Sequence, residues 1–350
     1  MSLTVVVTGA TGNVGTSVLE ALAADERVGE IVGIARRIPN WTPPKVRWVS
    51  ADVASDDLSR AFEGAHAVIH LAWLIQPSRD GAELERVNVR GSRRVFDAAL
   101  AAGVDVLVHA SSVGVYSPGP KDRAVDESWA REGVDSLFYA RHKAACEHAL
   151  DALEGRGTRI VRLRPGLIFK REAGPEIRRL FAGPFLPTWL LKPGRVPVLP
   201  LPDRLSVQCV HASDVGNAYR LAALEPHAEG AYNLAADPVL DPDTLAKILH
   251  ARRVTVPEQA IRIGADLTFR AHLQPAPPGW VDMGLAVPTM DTTRAKTQLG
   301  WTPTVDAPTA LRELLAGMRE TAGMDTPPLK PHAGGPLRLK EILTGVGRRL

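Results

Sequence analysis

The chain has 350 residues, of which 45% are hydrophobic and 23% are charged. This is ordinary for a globular protein with one large α/β domain and a smaller one. A formal net charge of +3 is too small to indicate a nucleic-acid partner, and two cysteines, Cys146 and Cys209, are too few for a disulfide scaffold. No apolar run reaches membrane-spanning length, and residues 1–3 lead directly into a predicted strand, which leaves no room for a signal peptide. We therefore expect a cytoplasmic protein without a membrane span.

The stretch from Thr4 to Leu22 predicts a strand, a glycine turn and a helix. A β-branched run ends at Thr8, three glycines follow at a spacing of three, and apolar residues then recur at helical spacing. This arrangement presents backbone N–H groups and the positive end of a helix to an anion, and glycines allow a pyrophosphate to approach closely. It predicts a dinucleotide site formed by Gly9, Thr11, Gly12, Asn13, Val14 and Gly15.

The glycine spacing is G-x-x-G-x-x-G, which differs from the G-x-G-x-x-G of many dehydrogenases. The stretch Thr8–Gly15 resembles the cofactor loop of the extended short-chain dehydrogenase/reductase family, which includes the NAD-dependent epimerases and dehydratases. With the strand–helix alternation of the first half, it predicts an α/β fold. The expected architecture is a doubly wound, parallel, Rossmann-like sheet with a smaller C-terminal substrate-binding cap.

The second predicted strand, residues 31–35, ends at Arg36 and Arg37. An acid at this position accepts the adenosine ribose hydroxyls, whereas an arginine accommodates a 2′-phosphate. No acid is present, so we expect a preference for NADP(H), with NAD(H) as the alternative; the arginines could instead face solvent or stack on adenine. After the third predicted strand, residues 46–49, the resemblance implies that Asp52 contacts adenine, with Val53 beside it.

The fourth predicted strand, residues 67–72, ends in a sequence that resembles the family pattern H-x-A-A. Trp73 replaces the second small residue of that pattern, which places a bulky apolar group near the nicotinamide. The resemblance implies that Leu71, Ala72 and Trp73 line the cofactor site. It also implies that Asn88, on a predicted helix, braces the active site, although a helical asparagine could equally be a surface amide.

The fifth predicted strand, residues 104–110, runs into a segment that resembles the family signature S-S-x-x-V-Y. The resemblance places the catalytic hydroxyl at Ser112 and a cofactor contact at Ser111. Tyr139 and Lys143 follow, four residues apart, and so share one face of a helix. A cation beside a tyrosine lowers its pKa from about 10. Tyr139 would exchange a proton during hydride transfer, while Lys143 would also bind the nicotinamide ribose.

The sixth predicted strand, residues 160–165, ends in the family's R-P pair, which adds Pro165 to the expected cofactor contacts. We expect residues 1–165 and 207–235 to form the dinucleotide-binding domain. Residues 166–206 and 236–320 would form the substrate-binding cap. Residues 321–350 would form a flexible tail with a short amphipathic helix that docks on the body or, alternatively, lies on a membrane surface.

The motifs together predict an NAD(P)-dependent oxidoreductase with a Ser-Tyr-Lys site that transfers hydride at a secondary alcohol or ketone of a small molecule. A sugar-nucleotide epimerase and a non-catalytic cofactor sensor are the alternatives. A dehydratase is disfavoured, because Val113 and Gly114 stand where such enzymes have an acid and a base. No metal site is expected, and a homodimer is one option for the assembly. An apolar substrate would follow if certain side chains converge over the nicotinamide, although they could instead form the cap's own core: Trp73, Leu74, Ile75, Phe181, Phe185, Trp189 and Leu190.

Overall fold

The computed structural model describes residues 2–348. Its strands are β1 (Leu3–Thr8), β2 (Val28–Ala35), β3 (Val46–Ser50), β4 (Ala67–His70), β5 (Val106–Ala110), β6 (Ala124–Val125), β7 (Arg159–Pro165), β8 (Leu167–Phe169), β9 (Val198–Leu201), β10 (Val207–His211), β11 (Gly230–Leu234), β12 (Ala236–Leu240), β13 (Arg252–Thr255) and β14 (Thr289–Met290). Its α-helices are α1 (Asn13–Ala23), α2 (Ser59–Phe62), α3 (Gly81–Glu85), α4 (Ser92–Ala101), α5 (Phe138–Asp151), α6 (Gly174–Ile177), α7 (Ala212–Leu224), α8 (Pro242–Leu249), α9 (Glu258–Arg270), α10 (Gly279–Ala286), α11 (Thr293–Thr297), α12 (Ala307–Glu320) and α13 (Leu339–Leu343). Within residues 2–348, no helix is both long and apolar enough to cross a membrane.

The central sheet has seven parallel strands in the order β11-β7-β5-β4-β1-β2-β3. Its inner strands β1 and β4 are largely apolar runs because helices cover both faces of the sheet there. In β1, Val5 and Val7 join the core on one side of the sheet, and Val6 joins the core on the other side. The predicted α/β fold with a doubly wound parallel sheet is therefore confirmed. The chain leaves β1 toward one edge and later continues from β4 toward the other, which makes the carboxyl ends of β1 and β4 the expected ligand crevice.

The cap is built around a second sheet of three strands in the order β12-β10-β8. The helix α12 packs on this sheet, and Phe169, Leu240 and Leu314 lie in the shared apolar core. The segment predicted to return to the dinucleotide-binding domain, 207–235, divides between the two parts. Its first strand, β10, belongs to the small sheet, whereas α7 packs against α1 and β11 forms an edge of the central sheet.

A buried ion pair joins α5 to β7 directly beneath the ends of the central strands. The Arg164 guanidinium donates to both carboxylate oxygens of Glu147, at 2.8 and 2.5 Å, and both side chains are almost fully buried. Arg164 also donates to the Tyr116 hydroxyl, and Ser111 donates to Glu147. Burial raises the pKa of Glu147, but the hydrogen bonds and charge of Arg164 outweigh it, so the pKa lies below its usual range.

We predict that Glu147→Gln lowers the free energy of unfolding by about 3–5 kcal/mol at neutral pH, because it leaves the Arg164 charge buried without its partner. Because the pKa of Glu147 is lower in the folded than in the unfolded chain, its contribution is present above the unfolded-state value of about 4.3 and is lost as the pH falls further. Urea unfolding of both proteins across this range measures the effect. Glu30→Gln is the control, since it breaks an exposed pair with Arg47 worth at most about 1 kcal/mol. Equal losses in the two variants would contradict the prediction.

Candidate active site

The glycine turn between β1 and α1 is shaped by backbone-to-backbone packing. Gly9 has a φ of +69°, and a Cβ there would lie 2.7 Å from the backbone nitrogen of Ala72 at the end of β4. A Cβ on Gly15 would overlap the carbonyl oxygen of Gly9. Gly12 is the N-cap of α1, and among the described residues no side chain caps this helix. Its first N–H groups can therefore serve an anion such as a diphosphate.

The remaining predicted residues of the turn fix its orientation. Thr11 is buried, and Val14 packs against the main core. The Asn13 Nδ2 group donates to the carbonyl of Ile168 at 3.1 Å, which ties the turn to β8 in the cap. The Asn13 Oδ1 atom is buried and has no hydrogen-bond partner among the described residues, so it is available to a donor on a ligand.

The residues predicted to contact the adenosine half lie at the ends of β2 and β3. Arg36 and Arg37 are exposed and line a cavity of about 680 Å³. The Asp52 carboxylate accepts the N–H of Ala54 at 2.9 Å, which closes its own turn after β3. Val53 is buried in the core. Both arginines therefore border the cavity, and one carboxylate oxygen of Asp52 is engaged within its own turn.

The loop after β4 carries Leu71, Ala72 and Trp73, and Asn88 holds it in place. Asn88 is fully buried, accepts the N–H of Leu74 at 2.7 Å and donates to the Leu74 carbonyl at 2.8 Å. The alternative of a surface amide at this position is therefore wrong. Ala72 lies against Gly9, so the loop and the glycine turn support one another.

Ser112, Tyr139 and Lys143 come together where β5 meets α5. The Ser112 hydroxyl oxygen accepts the N–H of Gly114 at 3.0 Å, and Ser112 is near enough to Tyr139 to influence the pKa of its phenol. Burial raises the pKa of the Tyr139 phenol, and the influence of Ser112 only partly opposes this. Lys143 is 3% exposed, and its Nζ donates to the Ala110 carbonyl at 2.5 Å. Burial lowers its pKa to about 7, against the charges of Cys146 and Glu147, which raise it.

Two other predicted cofactor residues are buried in the protein. Ser111 directs its hydroxyl to Glu147, and Pro165 ends β7 in register with Leu234. Both support the floor of the site. No group of three His, Cys, Asp or Glu side chains within residues 2–348 could hold a metal ion.

An aromatic stack surrounds Tyr139. The Trp73 ring lies edge-on to Tyr139 at 5.9 Å between centroids, with the Lys143 Nζ 3.5 Å from the centre of the Trp73 ring. On the other side Trp280 contacts Tyr139 at 5.0 Å, and Phe181 contacts Trp280 at 4.9 Å. Trp280 belongs to α10 and was not among the sequence predictions. The sequence shows only an apolar helix after a proline-rich turn, and this pattern does not indicate which residue Trp280 contacts.

The expected convergence of apolar side chains is only partly correct. Trp73 and Phe181 join the stack, and Met283 of α10 packs with Tyr139 in the same apolar cluster. Phe185 and Trp189 are 52% and 62% exposed and do not join the stack, nor do they form a core of the cap. Hydrophobicity alone does not determine which residue of a segment turns inward.

The model of the family described as "NAD dependent epimerase/dehydratase family" matches residues 5–235. The chain belongs to this family. The match spans the glycine turn, Ser112, Tyr139 and Lys143, and the chain is accordingly an enzyme of the epimerase/dehydratase family. The resemblance read from the motifs is thereby confirmed.

Two curated relatives of this chain are dehydrogenases whose names give different substrates. An L-arabinose 1-dehydrogenase (NAD(P)(+)) of Haloferax volcanii is 40% identical over 32% of this chain and 42% of its own length. The human 3 beta-hydroxysteroid dehydrogenase type 7 is 30% identical over 45% of this chain and 46% of its own length. The chain thus spans less than half the length of either relative.

Solved structures of the epimerase/dehydratase type share the fold over most of this chain. The dTDP-glucose 4,6-dehydratase of Streptomyces venezuelae with NAD bound has a TM-score of 0.68 and 20% identity, and covers 91% of this chain and 97% of its own. A UDP-glucose 4-epimerase of Thermotoga maritima has a TM-score of 0.67 and 19% identity, and covers 91% and 99%. At these identities the likeness concerns the fold.

We predict that two glycine variants separate folding from dinucleotide binding. Gly12→Ala should keep or slightly raise Tm, because the nearest atom to its Cβ is 3.6 Å away, but should raise the Kd for a dinucleotide at least about tenfold by blocking the helix N–H groups. Gly15→Ala should lose both stability and binding, because its Cβ overlaps backbone. Thermal melts and fluorescence titrations with NADPH and NADH measure both quantities. Unchanged binding by Gly12→Ala would show that a dinucleotide does not use this turn.

Proposed function

We propose that the protein is an NADP(H)-dependent oxidoreductase that transfers hydride at the carbon of a secondary alcohol or ketone in an apolar substrate. The observation that carries the proposal is the meeting of Ser112, Tyr139 and Lys143 where β5 meets α5, with the Tyr139 ring enclosed by the aromatic stack. This set supplies an oxygen-orienting hydroxyl, a proton donor and a cation at one place.

The protein groups would divide the proton chemistry between them. Ser112 donates to the substrate oxygen and orients it, while the Tyr139 hydroxyl exchanges a proton with that oxygen. Because burial raises the pKa of Tyr139, its phenol stays protonated at neutral pH, the form that protonates a carbonyl oxygen during reduction. The nicotinamide supplies or accepts the hydride when it is bound. The ammonium of Lys143, with a pKa brought to about 7 by burial, stabilises negative charge on the phenol oxygen.

The cofactor preference rests on the end of β2. Arg36 and Arg37 stand where a carboxylate would accept the ribose hydroxyls of NAD(H), and both line the open cavity. A guanidinium forms paired, charge-assisted bonds to a phosphate, which favours the 2′-phosphate of NADP(H). The N–H groups at Gly12 and in the first turn of α1 would hold the diphosphate region.

The substrate class rests on the walls around Tyr139. Trp73, Trp280, Phe181 and Met283 present rings and a thioether, so each hydroxyl of a sugar placed there would lack a partner at a cost of about 1–3 kcal/mol. An apolar ketone meets no such penalty. The name of the human relative, a hydroxysteroid dehydrogenase, also supports an apolar secondary alcohol. Sugar-nucleotide epimerisation remains the alternative, and a sensor without turnover is the second.

We predict that Tyr139→Phe lowers kcat/KM by about 10²–10⁴-fold while leaving the Kd for NADPH within about twofold, because only the exchanged proton is lost. Lys143→Ala should impair both turnover and cofactor binding. Steady-state kinetics and cofactor titration separate the two effects. The control is Tyr232→Phe on β11, which should leave kcat/KM unchanged because the Tyr232 hydroxyl only accepts the N–H of Glu229, next to that strand. A Tyr139→Phe enzyme with near-full rate would rule out this mechanism.

We predict that a substrate screen finds apolar ketones that oxidise NADPH faster than NADH, since the walls desolvate them without leaving hydroxyls unpaired. UDP-sugars should neither be interconverted nor raise Tm. Trp280→Ala should raise KM for the ketone more than the Kd for NADPH, and the exposed Trp189→Ala serves as its matched control. Clean UDP-hexose epimerisation with tightly held NAD would put the epimerase first. Cofactor binding without turnover of any ketone or UDP-sugar would favour the non-catalytic cofactor sensor.

A further inference from the structure

The cavity at the end of β2 is enclosed by three parts of the chain that are far apart in sequence. One wall is the central domain, with Arg36, Arg37 and Trp73. A second wall is the cap at Arg179. The third is the C-terminal tail, defined here as residues 322–348. Its residues that line the cavity are Asp325, Thr326, Pro327, Pro328, Lys330, His332, Ala333 and Lys340. Its volume of about 680 Å³ lies within the range of ordinary ligand sites.

Cations dominate the walls of this cavity. The basic side chains are Arg36, Arg37, Arg179, Lys330 and Lys340, against the carboxyl groups of Glu176 and Asp325. Burial raises the pKa of Glu176, which weakens its negative charge there. Like charges gathered in one cleft repel each other unless an anion lies between them. The composition of the walls therefore favours an anionic ligand.

The tail is anchored, so its cations occupy defined places. Glu341 accepts two hydrogen bonds from the Arg178 guanidinium, at 3.0 and 2.5 Å, and both side chains are buried. Leu329 is fully buried, and Arg179 donates to the Pro328 carbonyl at 3.1 Å. Arg338 donates to the carbonyl of Leu186 in the cap loop. These bonds hold Lys330 and Lys340 on the same cavity as Arg36.

Unsatisfied donors also line the cavity. Thr326 is 2% exposed, and its Oγ1 atom has no hydrogen-bond partner within residues 2–348. The Nε1 group of Trp73 is likewise buried without a partner in that range. A buried hydroxyl without a partner is unfavourable, and a phosphate oxygen would satisfy it.

We propose that the C-terminal tail is a structural part of the cofactor site, in which Lys330, Lys340 and the Thr326 hydroxyl bind the 2′-phosphate of NADP(H) together with Arg36 and Arg37. This inference rests on the proposed NADP(H) preference and extends it to the tail. The cofactor is then held between the central domain and a segment about 290 residues further along the chain.

The test is titration of the full chain and its variants with adenosine 2′,5′-bisphosphate, NADPH, NADH and UDP by calorimetry. Lys330→Ala and Lys340→Ala should each weaken the bisphosphate and NADPH about tenfold and NADH less than about twofold, because only the former carry the 2′-phosphate. Lys247→Ala, an exposed lysine of α8 outside the cavity, is the matched control and should change none of these values. Arg36→Ala should weaken the same two ligands as the tail variants.

The outcomes separate the two proposals. If Arg36→Ala loses the NADPH preference and the tail variants keep it, the tail inference is overturned and the proposed cofactor preference stands. If the unmodified protein binds NADH as tightly as NADPH and does not bind the bisphosphate, the proposed preference fails and the tail inference with it. Tighter binding of UDP than of the bisphosphate, weakened by Lys330→Ala, would assign these cations to a substrate diphosphate and also overturn the inference.

A second pair of variants tests the anchor. Glu341→Gln weakens the buried pair with Arg178, so hydrogen exchange across residues 322–348 should rise and the Kd for NADPH should rise at least about fivefold. Glu320→Gln, which loses only an exposed pair with Arg171, should change neither. Faster exchange in Glu341→Gln with an unchanged Kd for NADPH would show that the tail is structural only.

Discussion

The site depends on the close approach of two backbones at the point where the chain reverses direction across the sheet. Gly9, at the end of β1, lies so near Ala72, after β4, that there is no room for a Cβ between them. Gly15 lies equally near the Gly9 carbonyl, so the start of α1 is held against the same turn. This packing fixes the position of the loop that carries Trp73 relative to the glycine turn. A larger residue at Gly9 would push the turn away from the loop after β4, and one at Gly15 would push α1 away from the turn.

A polar stripe on α5 connects this crevice to the interior. Tyr139, Lys143 and Glu147 are spaced by four residues and therefore face the sheet together. Glu147 pairs with Arg164 of β7, and its negative charge raises the pKa of Lys143 against the effect of burial. The same helix face thus carries both the proton chemistry and the ion pair that fixes the helix. A change in that pair would alter the electrostatics of the site as well as the stability.

The cap contributes an aromatic side chain beside Tyr139, and the tail contributes basic side chains to the cavity at Arg36. The central sheet supplies Ser112, Tyr139 and Lys143, but α10 supplies Trp280, which closes the apolar wall. Residues of the tail form one wall of the cationic cavity. Trp73 lines this cavity and also contacts Tyr139, so the cationic cavity adjoins the apolar wall at Trp73.

The sequence by itself determined the parts of this protein that depend on local pattern. The β-branched runs predicted the inner strands of the central sheet, because strands buried on both faces are mostly apolar. The glycine spacing predicted the turn, and the four-residue spacing placed Tyr139 and Lys143 on one face, because both are properties of a single segment. Only the tertiary structure decided which distant surfaces meet. Lys143 beneath Trp73, Trp280 against Tyr139, β10 in the small sheet and Lys330 on the same cavity as Arg36 all depend on packing between segments. Hydrophobicity and charge indicate that a side chain will be buried or paired, but only the tertiary structure shows which residues it contacts.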